Sequence, residues 1–373
     1  MRSPRRRREI VATIVPRRPS IGAVAFVLAS CTVLGCESSS DPYGLTELGD
    51  GSGYPGVEWT AISSPDAYGW SDGALDRAQA FSDSIGSHSV VVVDHGAVVR
   101  QWGDVTENLV VQSVRKSFMS ALYGIAWRDG LVDLDATLDE LGIDDRAPSL
   151  TDAEKQATVE HLLQSRSGVY HVAAAEGAGQ VLRRPDRGSH PPGTYFYYNN
   201  WDFNVLGTIL RDLTGEDTYD ALYEHFAIPL QMQEFTPANG TYSWYAASEH
   251  PAYMFSMSAR DMARFGVLFA NWGRWRNEWI VPRQWVERSI ARYSDASETW
   301  PAWDYGYMWW IGKVDAFDGH LLYAARGGGG HGIYVVPAMK VVVVHRVSYD
   351  TWRGRWADVD ALVLMILAAR GDR

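Results

Sequence analysis

Residues 109–116 read Leu-Val-Val-Gln-Ser-Val-Arg-Lys. The chain holds thirty Arg but only four Lys, and one of those four, Lys116, follows Ser113 by three positions. The apolar spacing over 113–129, closed by Gly130, predicts a helix. On a helix, Ser113 and Lys116 share one face about one turn apart, so the amine reaches the hydroxyl. A serine is a weak nucleophile near neutral pH and needs a base or a neighbouring cation to stabilise its alkoxide. At the opening of the helix, the Ser113 N–H lies at the positive end of the helix dipole, a favourable place for a developing oxyanion. Ser-x-x-Lys is short enough to arise by chance, so its weight depends on what accompanies it.

Two further stretches accompany it. Tyr198-Asn199-Asn200 lies inside the aromatic segment 194–203. A phenol beside Lys116 would act as a general base, because an ammonium favours its phenolate. Tyr197 is the alternative for that role, and Asn200 would bond Lys116 or a substrate carbonyl. Arg326-Gly-Gly-Gly-Gly-His331-Gly332 then enters an apolar run, 333–336. It matches Gly-x-Gly-x-x-Gly literally, but a strand follows in place of a helix, which argues against a dinucleotide site. A Gly run entering a strand lets substrate approach the backbone, and one N–H there, with Gly328 preferred, would be a second oxyanion donor. Tyr170 is a further candidate for the cleft wall. His331 would either line the pocket or serve as a structural donor.

Outward from these motifs, helical spacing recurs at 74–85, 159–164, 204–213, 259–272 and 357–369. Runs of strand character fall at 89–93, 97–102, 307–311, 333–336 and 341–347. Asp94-His95-Gly96 is a hairpin signal. Strands at both ends of the chain, with helices between, predict an α+β fold. One antiparallel sheet is built from the two chain ends with flanking helices, and a largely helical region lies beside it.

Together the motifs resemble serine hydrolases related to class C β-lactamases and penicillin-binding proteins, which carry Ser-x-x-Lys, then Tyr-x-Asn, then Lys-Thr-Gly on an edge strand. The likeness extends to Val159-Glu-His-Leu-Leu-Gln-Ser-Arg-Ser-Gly168, to the spacing from Tyr198 to Leu206-Gly207, to Ser258-Ala-Arg-Asp-Met-Ala-Arg-Phe-Gly266 and to Tyr305-Gly-Tyr-Met-Trp-Trp310, roughly over residues 70–370. The last stretch resembles the branch containing esterases and 6-aminohexanoate-dimer hydrolase. The resemblance implies a β-lactamase/transpeptidase-like fold and Ser113 as the acylated nucleophile. Lys116 and Tyr198 would move the proton, and Asn200 would orient substrate or Lys116. The oxyanion would sit between the Ser113 N–H and the Gly run, and the substrate would be a small-molecule ester or amide with no cofactor and no metal. Ala325-Arg326-Gly327 stands where Lys-Thr-Gly is expected, which lowers the expectation of β-lactamase or D-Ala carboxypeptidase activity. Arg326 would restore the charge one residue late. A non-catalytic module binding cell-wall peptides is the alternative on the same fold.

Residues 1–36 hold seven Arg against one Glu, leaving 27 basic and 44 acidic side chains for the remainder. So acidic a body has no general affinity for nucleic acid. The Arg-rich start and the apolar run 20–35 read as an export segment of lipoprotein type (1–36), with Cys36 as the lipidated residue, Cys31 as its rival, and 37–57 as a polar linker. The hydrolase domain is then 58–373, lipid-anchored in a bacterial cell envelope outside the cytoplasmic membrane, with the membrane that holds the anchor left open. Both cysteines lie in that first segment, so the body has no disulfide, Cys–zinc site or Cys nucleophile. None of the ten His falls in His-Glu-x-x-His. Oligomeric state is not legible.

Overall fold

The computed structural model describes residues 53–370. The export segment, Cys31, Cys36 and all but the end of the linker lie outside them. Residues 53–57 do not run free. The Tyr54 ring packs on Trp275, 5.2 Å between centroids, and Arg264 Nη2 donates to the Val57 carbonyl at 2.6 Å.

The chain enters helix α1 (Asp72–Ser84), then a hairpin of β1 (Ser87–Asp94) and β2 (Ala97–Gly103). His95 and Gly96 turn it with φ of 47° and 79°, the doubly left-handed geometry that matches strand twist. A short strand β3 (Leu109–Val110) leads to α2 (Arg115–Arg128). The central region holds α3 (Val159–Leu163), α4 (Ala178–Arg183), α5 (Asn200–Thr214) and α6 (Thr218–Leu222). A second hairpin, β4 (Gly240–Tyr245) and β5 (Ser248–Met257), precedes α7 (Ala259–Ala270). After the small pair β6 (Arg274–Trp275) and β7 (Glu278–Trp279) comes α8 (Arg283–Ser289). The chain then lays down β8 (Ser294–Asp295), β9 (Trp303–Tyr305), β10 (Trp310–Gly312), β11 (Tyr323–Gly327), β12 (His331–Val336) and β13 (Val341–Val347), and closes on α9 (Trp356–Ala369).

The main sheet has eight strands in the order β2-β1-β13-β12-β11-β10-β9-β8, and every pairing is antiparallel. It joins the two ends of the chain, as the sequence predicts. The Val runs of β1 and β13 pair residue against residue, Val91 with Val344 and Val92 with Val343, and all four side chains are buried. Central strands covered on both faces lose the polar alternation of a half-exposed sheet. One face carries α7, and Gly266 permits it: a Cβ there would stand 2.4 Å from Val342 Cγ1. The other face carries α9, which packs against α1.

Three elements differ from the sequence expectation. Helix α5 begins at Asn200, not 204, because Asn199 caps it: its Oδ1 accepts from the Trp201 N–H at 3.2 Å. The run 307–311 is not one strand, since Met308 takes φ 58° and only Trp310 and Ile311 of that run continue into β10. Ser113 does not open the α-helix directly. It sits in a 3-10 turn, Gln112–Val114, that feeds α2.

Candidate active site

The turn before α2 is sharp. Gln112 is in the left-handed region, φ 53°, which a residue with a Cβ adopts only at a cost. It swings Ser113 to a half-buried position at the edge of the helical region. Lys116, one turn on, is 1% exposed. Its Nζ lies 2.8 Å from Ser113 Oγ, 2.9 Å from the Tyr198 hydroxyl and 2.9 Å from Asn200 Oδ1. Residues 82 and 84 positions away in sequence thus meet at one amine. As an ammonium, Lys116 donates to all three oxygens. As a free amine, it donates to two and can accept the Ser113 hydroxyl proton. Asn200 Oδ1 can only accept, so it takes one N–H, and the Ser113 and Tyr198 hydroxyls divide the other N–H and the lone pair between them.

Electrostatics favour the free amine. Burial holds the Lys116 pKa well below the usual lysine range, and the adjacent Arg115 guanidinium adds to the effect. Arg115 is itself 2% exposed, its Nε and Nη2 have no hydrogen-bond partner among the described residues, and its guanidinium lies 5.1 Å from the centre of the Tyr253 ring. The Tyr198 phenol is pushed up to about 12 by burial, against the pull of its bond to Ser113 and of Arg115 and Arg326. Tyr198 is therefore an uncharged donor–acceptor near neutral pH, and Lys116 is the group better placed to take a proton. The sequence left that choice open.

Asn200 is committed to Lys116. Its Nδ2 donates to the Ala175 carbonyl, and Gln180 Nε2 donates to its Oδ1 at 3.2 Å and to the Tyr198 carbonyl at 2.9 Å. The amide is locked with its oxygen toward the amine, so the expected contact with substrate gives way to orientation of Lys116. Behind it, Asn199 Nδ2 donates to Val169 O at 2.6 Å and to Asp202 at 2.8 Å, and Ser167 Oγ donates to Asp202 at 2.5 Å. Burial raises the Asp202 carboxyl well above its ordinary range. This network fixes the 198–200 turn that carries the phenol and the amide.

The Gly run lies against the nucleophile. A Cβ on Gly327 would stand 2.4 Å from Val111 O and 3.1 Å from the Ser113 N. Gly328, next along, is exposed and has open space where a side chain would go. Strand alternation sends Arg326 to the opposite face. There its Nη2 donates to Asp360 of α9 at 3.2 Å, and its guanidinium lies 4.2 Å from the rings of both Trp303 and Trp356. Arg326 does not replace the missing lysine.

Neither candidate for the wall lines the cavity beside the site, and His331 takes the structural alternative, as an acceptor. His331 is 1% exposed on β12 and accepts from Arg346 Nε at 3.1 Å. Arg346 in turn donates to Leu109 O at 2.6 Å, so His331 braces the strand leading to Ser113. Burial, with Arg346 next, pushes its imidazole down to about 2. Tyr170 is buried with its hydroxyl 3.0 Å from His190 Nδ1 and its ring edge-on to Tyr197. A cavity of about 380 Å³ opens beside the site instead, lined by Tyr198, Gln180, Arg183, Phe196, Thr299 and Trp300 among others. Sequence reasoning missed Arg115, although it lies inside the motif. It also missed Gln180, Arg183 and Trp300, whose polar or aromatic surroundings carry no recurring spacing. A literal Gly-x-Ser-x-Gly at residues 69–73, the elbow pattern of another hydrolase class, forms no elbow: Ser71 caps α1, its Oγ accepting from the Ala74 N–H at 3.3 Å. Among the described residues no group of acidic, His or Cys side chains is arranged to hold a metal.

A family model described as Beta-lactamase matches residues 74–364. Among solved structures, a Bacillus anthracis protein described as a 6-aminohexanoate-dimer hydrolase is similar with a TM-score of 0.61 and 22% identity, covering 78% of this chain and 81% of that one. The octameric penicillin-binding protein homologue from Pyrococcus abyssi is similar with a TM-score of 0.59 and 17% identity, over 79% and 76% of the two chains. A class C beta-lactamase gives 0.58 and 18%, over 80% and 95%. At these identities the likeness is one of fold. No protein of curated function matches the sequence.

Proposed function

The chain belongs to the beta-lactamase family, and on that premise we propose that it is a serine hydrolase cleaving an ester or amide through an acyl-enzyme on Ser113. The observation that carries the reading is the single amine of Lys116 within 2.9 Å of Ser113, Tyr198 and Asn200 oxygens.

Ser113 Oγ attacks the substrate carbonyl as its proton passes to Lys116 Nζ. The carbonyl π pair moves to oxygen, and the oxyanion takes hydrogen bonds from the N–H groups of Ser113 and Gly328. The tetrahedral adduct collapses. The bond to the leaving alcohol or amine breaks, and the Tyr198 phenol delivers a proton to that group while Lys116 replaces it. Water then attacks the Ser113 ester, its proton returns along the same pair of groups, and the free acid leaves with the serine hydroxyl restored. Asn200 keeps the amine aimed throughout.

The missing cation on β11 supports a simple ester or short amide over a β-lactam or D-Ala peptide. The export segment supports a location at the outer side of the cytoplasmic membrane, with Cys36 as the anchor. Among the described residues no helix is long and apolar enough to cross a membrane. The test is a screen of p-nitrophenyl esters, short-chain amides, nitrocefin and D-Ala-D-Ala peptides, run beside Ser113→Ala. Turnover of an ester or amide that is lost in Ser113→Ala is the expected result. No turnover across the panel, or equal turnover in the variant, overturns the reading in favour of a binding module.

A further inference from the structure

The cavity beside Tyr198 is walled by rings but contains two arginines, Arg166 and Arg183. Their neighbours in sequence are committed. Arg184 pairs with Glu176 at 2.5 Å and Arg187 with Glu154 at 2.7 Å. Arg183 has no ion pair among the described residues; its guanidinium lies 5.8 Å from the centre of the Trp300 ring. Arg166 also lacks a carboxylate partner, and its Nη1 donates to the Tyr293 carbonyl at 2.9 Å. Of the two acids on the same wall, Asp295 faces Lys313 at 3.5 Å, and Glu298 pairs with no cation among the described residues; both acids, like Arg183 itself, are exposed at the cavity mouth.

Two routes connect Arg183 to the chemistry. Through α4, Arg183 follows Gln180 by three residues, on the same helix face and about 5 Å along the axis. Gln180 itself bonds Asn200 Oδ1. Through the rings, Trp300 lies between Arg183 and Tyr198, edge-on to the phenol with centroids 5.8 Å apart. The guanidinium thus lies on the cavity wall, linked to the Tyr198 phenol through the Trp300 ring in two steps of 5.8 Å each.

Resting on the acyl-enzyme reading above, we propose that Arg183 is a specificity residue that binds a carboxylate on the substrate. The preferred substrates would then be acid-tipped esters or amides, whose chain lies along the Phe196–Tyr198–Trp300 wall. The guanidinium supplies a two-pronged donor set matched to a carboxylate, and the face of the Trp300 ring lies within cation–π reach of it at 5.8 Å. It does so from α4, in a protein whose strand β11, paired on both sides, offers no cation there because Ala325 is apolar and Arg326 faces α9.

The test compares two chain-matched substrates, the p-nitrophenyl monoester of adipic acid and p-nitrophenyl hexanoate. The wild-type enzyme, Arg183→Ala and Arg183→Lys are each assayed on both. The expected result is a higher kcat/KM for the acid-tipped ester in the wild type. In Arg183→Ala the acid-to-neutral ratio falls by about tenfold or more, with the loss in KM for the acid ester. Arg183→Lys retains the charge without the fork and falls in between. A ratio unchanged by both substitutions, with either ester still hydrolysed, overturns this inference and leaves the hydrolase reading intact. If the wild type hydrolyses neither ester, the hydrolase reading fails first, and the inference with it.

Discussion

Arg115 and Lys116 are two buried cations side by side, and neither forms an ion pair among the described residues. Burial of one cation beside another favours loss of a proton, and lysine is the one that can lose it. A depressed lysine pKa means that the amine is charged and unable to act as a base below that pKa, and free above it. The acylation rate should therefore rise with pH along a limb lying well below the ordinary lysine range. Arg115→Gln removes the neighbouring charge, so the limb should move to higher pH; a stopped-flow pH profile of acylation with a p-nitrophenyl ester reads both. A limb that stays fixed would mean that Arg115 does not tune the amine. Tyr198→Phe keeps the ring packing but removes the proton carrier, and kcat should drop by about 10²–10³-fold. Retention of most activity would assign the relay to another group. The sequence made Ser113, Lys116, Tyr198 and Asn200 legible because each is a named residue type at a set spacing. It hid Arg115, because a charge inside a short motif reads as a solvated surface residue until burial is known.

The turn at Gln112–Val114 and the end of β11 are two elements shaped to touch. Gly327 is the contact: any side chain there would press into Val111 O and the Ser113 N–H. Gly327→Ala should cost about 1–3 kcal/mol in chemical denaturation and lower activity with it, since the strand must back away from the nucleophile. Gly328→Ala meets open space and keeps its N–H, so it should change kcat by less than about threefold. Gly328→Pro removes the N–H. The extended backbone of Gly327, φ −128° and ψ 141°, accepts a following proline, so the fold should hold. Its kcat should fall by about 10²–10³-fold, while equal kcat in both Gly328 variants would place the second oxyanion donor elsewhere. Expectation failed for the 307–311 run, which hides a left-handed residue, Met308, and gives only Trp310 and Ile311 to β10. Pairing partners decide such strands, not local preference.

At the scale of the whole molecule, the sheet that joins the chain ends was readable from valine-rich runs, which have few ways to be buried other than as central strands. What the helices do to the sheet was not readable. Arg326, the residue nearest to a substitute for the missing lysine, anchors α9 through Asp360, whose carboxyl is raised by burial. Arg326→Met leaves that carboxyl without its cation but with the Trp303 indole N–H and the Tyr334 hydroxyl, and should cost about 1–3 kcal/mol, read as a lower urea midpoint at unchanged slope. It should leave KM for an acid-tipped ester unaltered; a large rise in KM would return Arg326 to the substrate site. The export reading is a proposal about the segment before residue 53. A full-length chain expressed in bacteria should partition with membranes, and Cys36→Ser should release it to the soluble fraction. Membrane association that persists in that variant would point to Cys31 or to an uncleaved anchor helix.

The central claim is that Ser113 carries the acyl group. Intact-mass spectrometry of the protein quenched in acid during turnover of a slow p-nitrophenyl ester, followed by peptide mapping, reads it directly. One acyl group added per chain is expected, located on the peptide containing Ser113 and absent from Ser113→Ala. Hydrolysis that proceeds with no adduct, or an adduct that survives in Ser113→Ala, would contradict it.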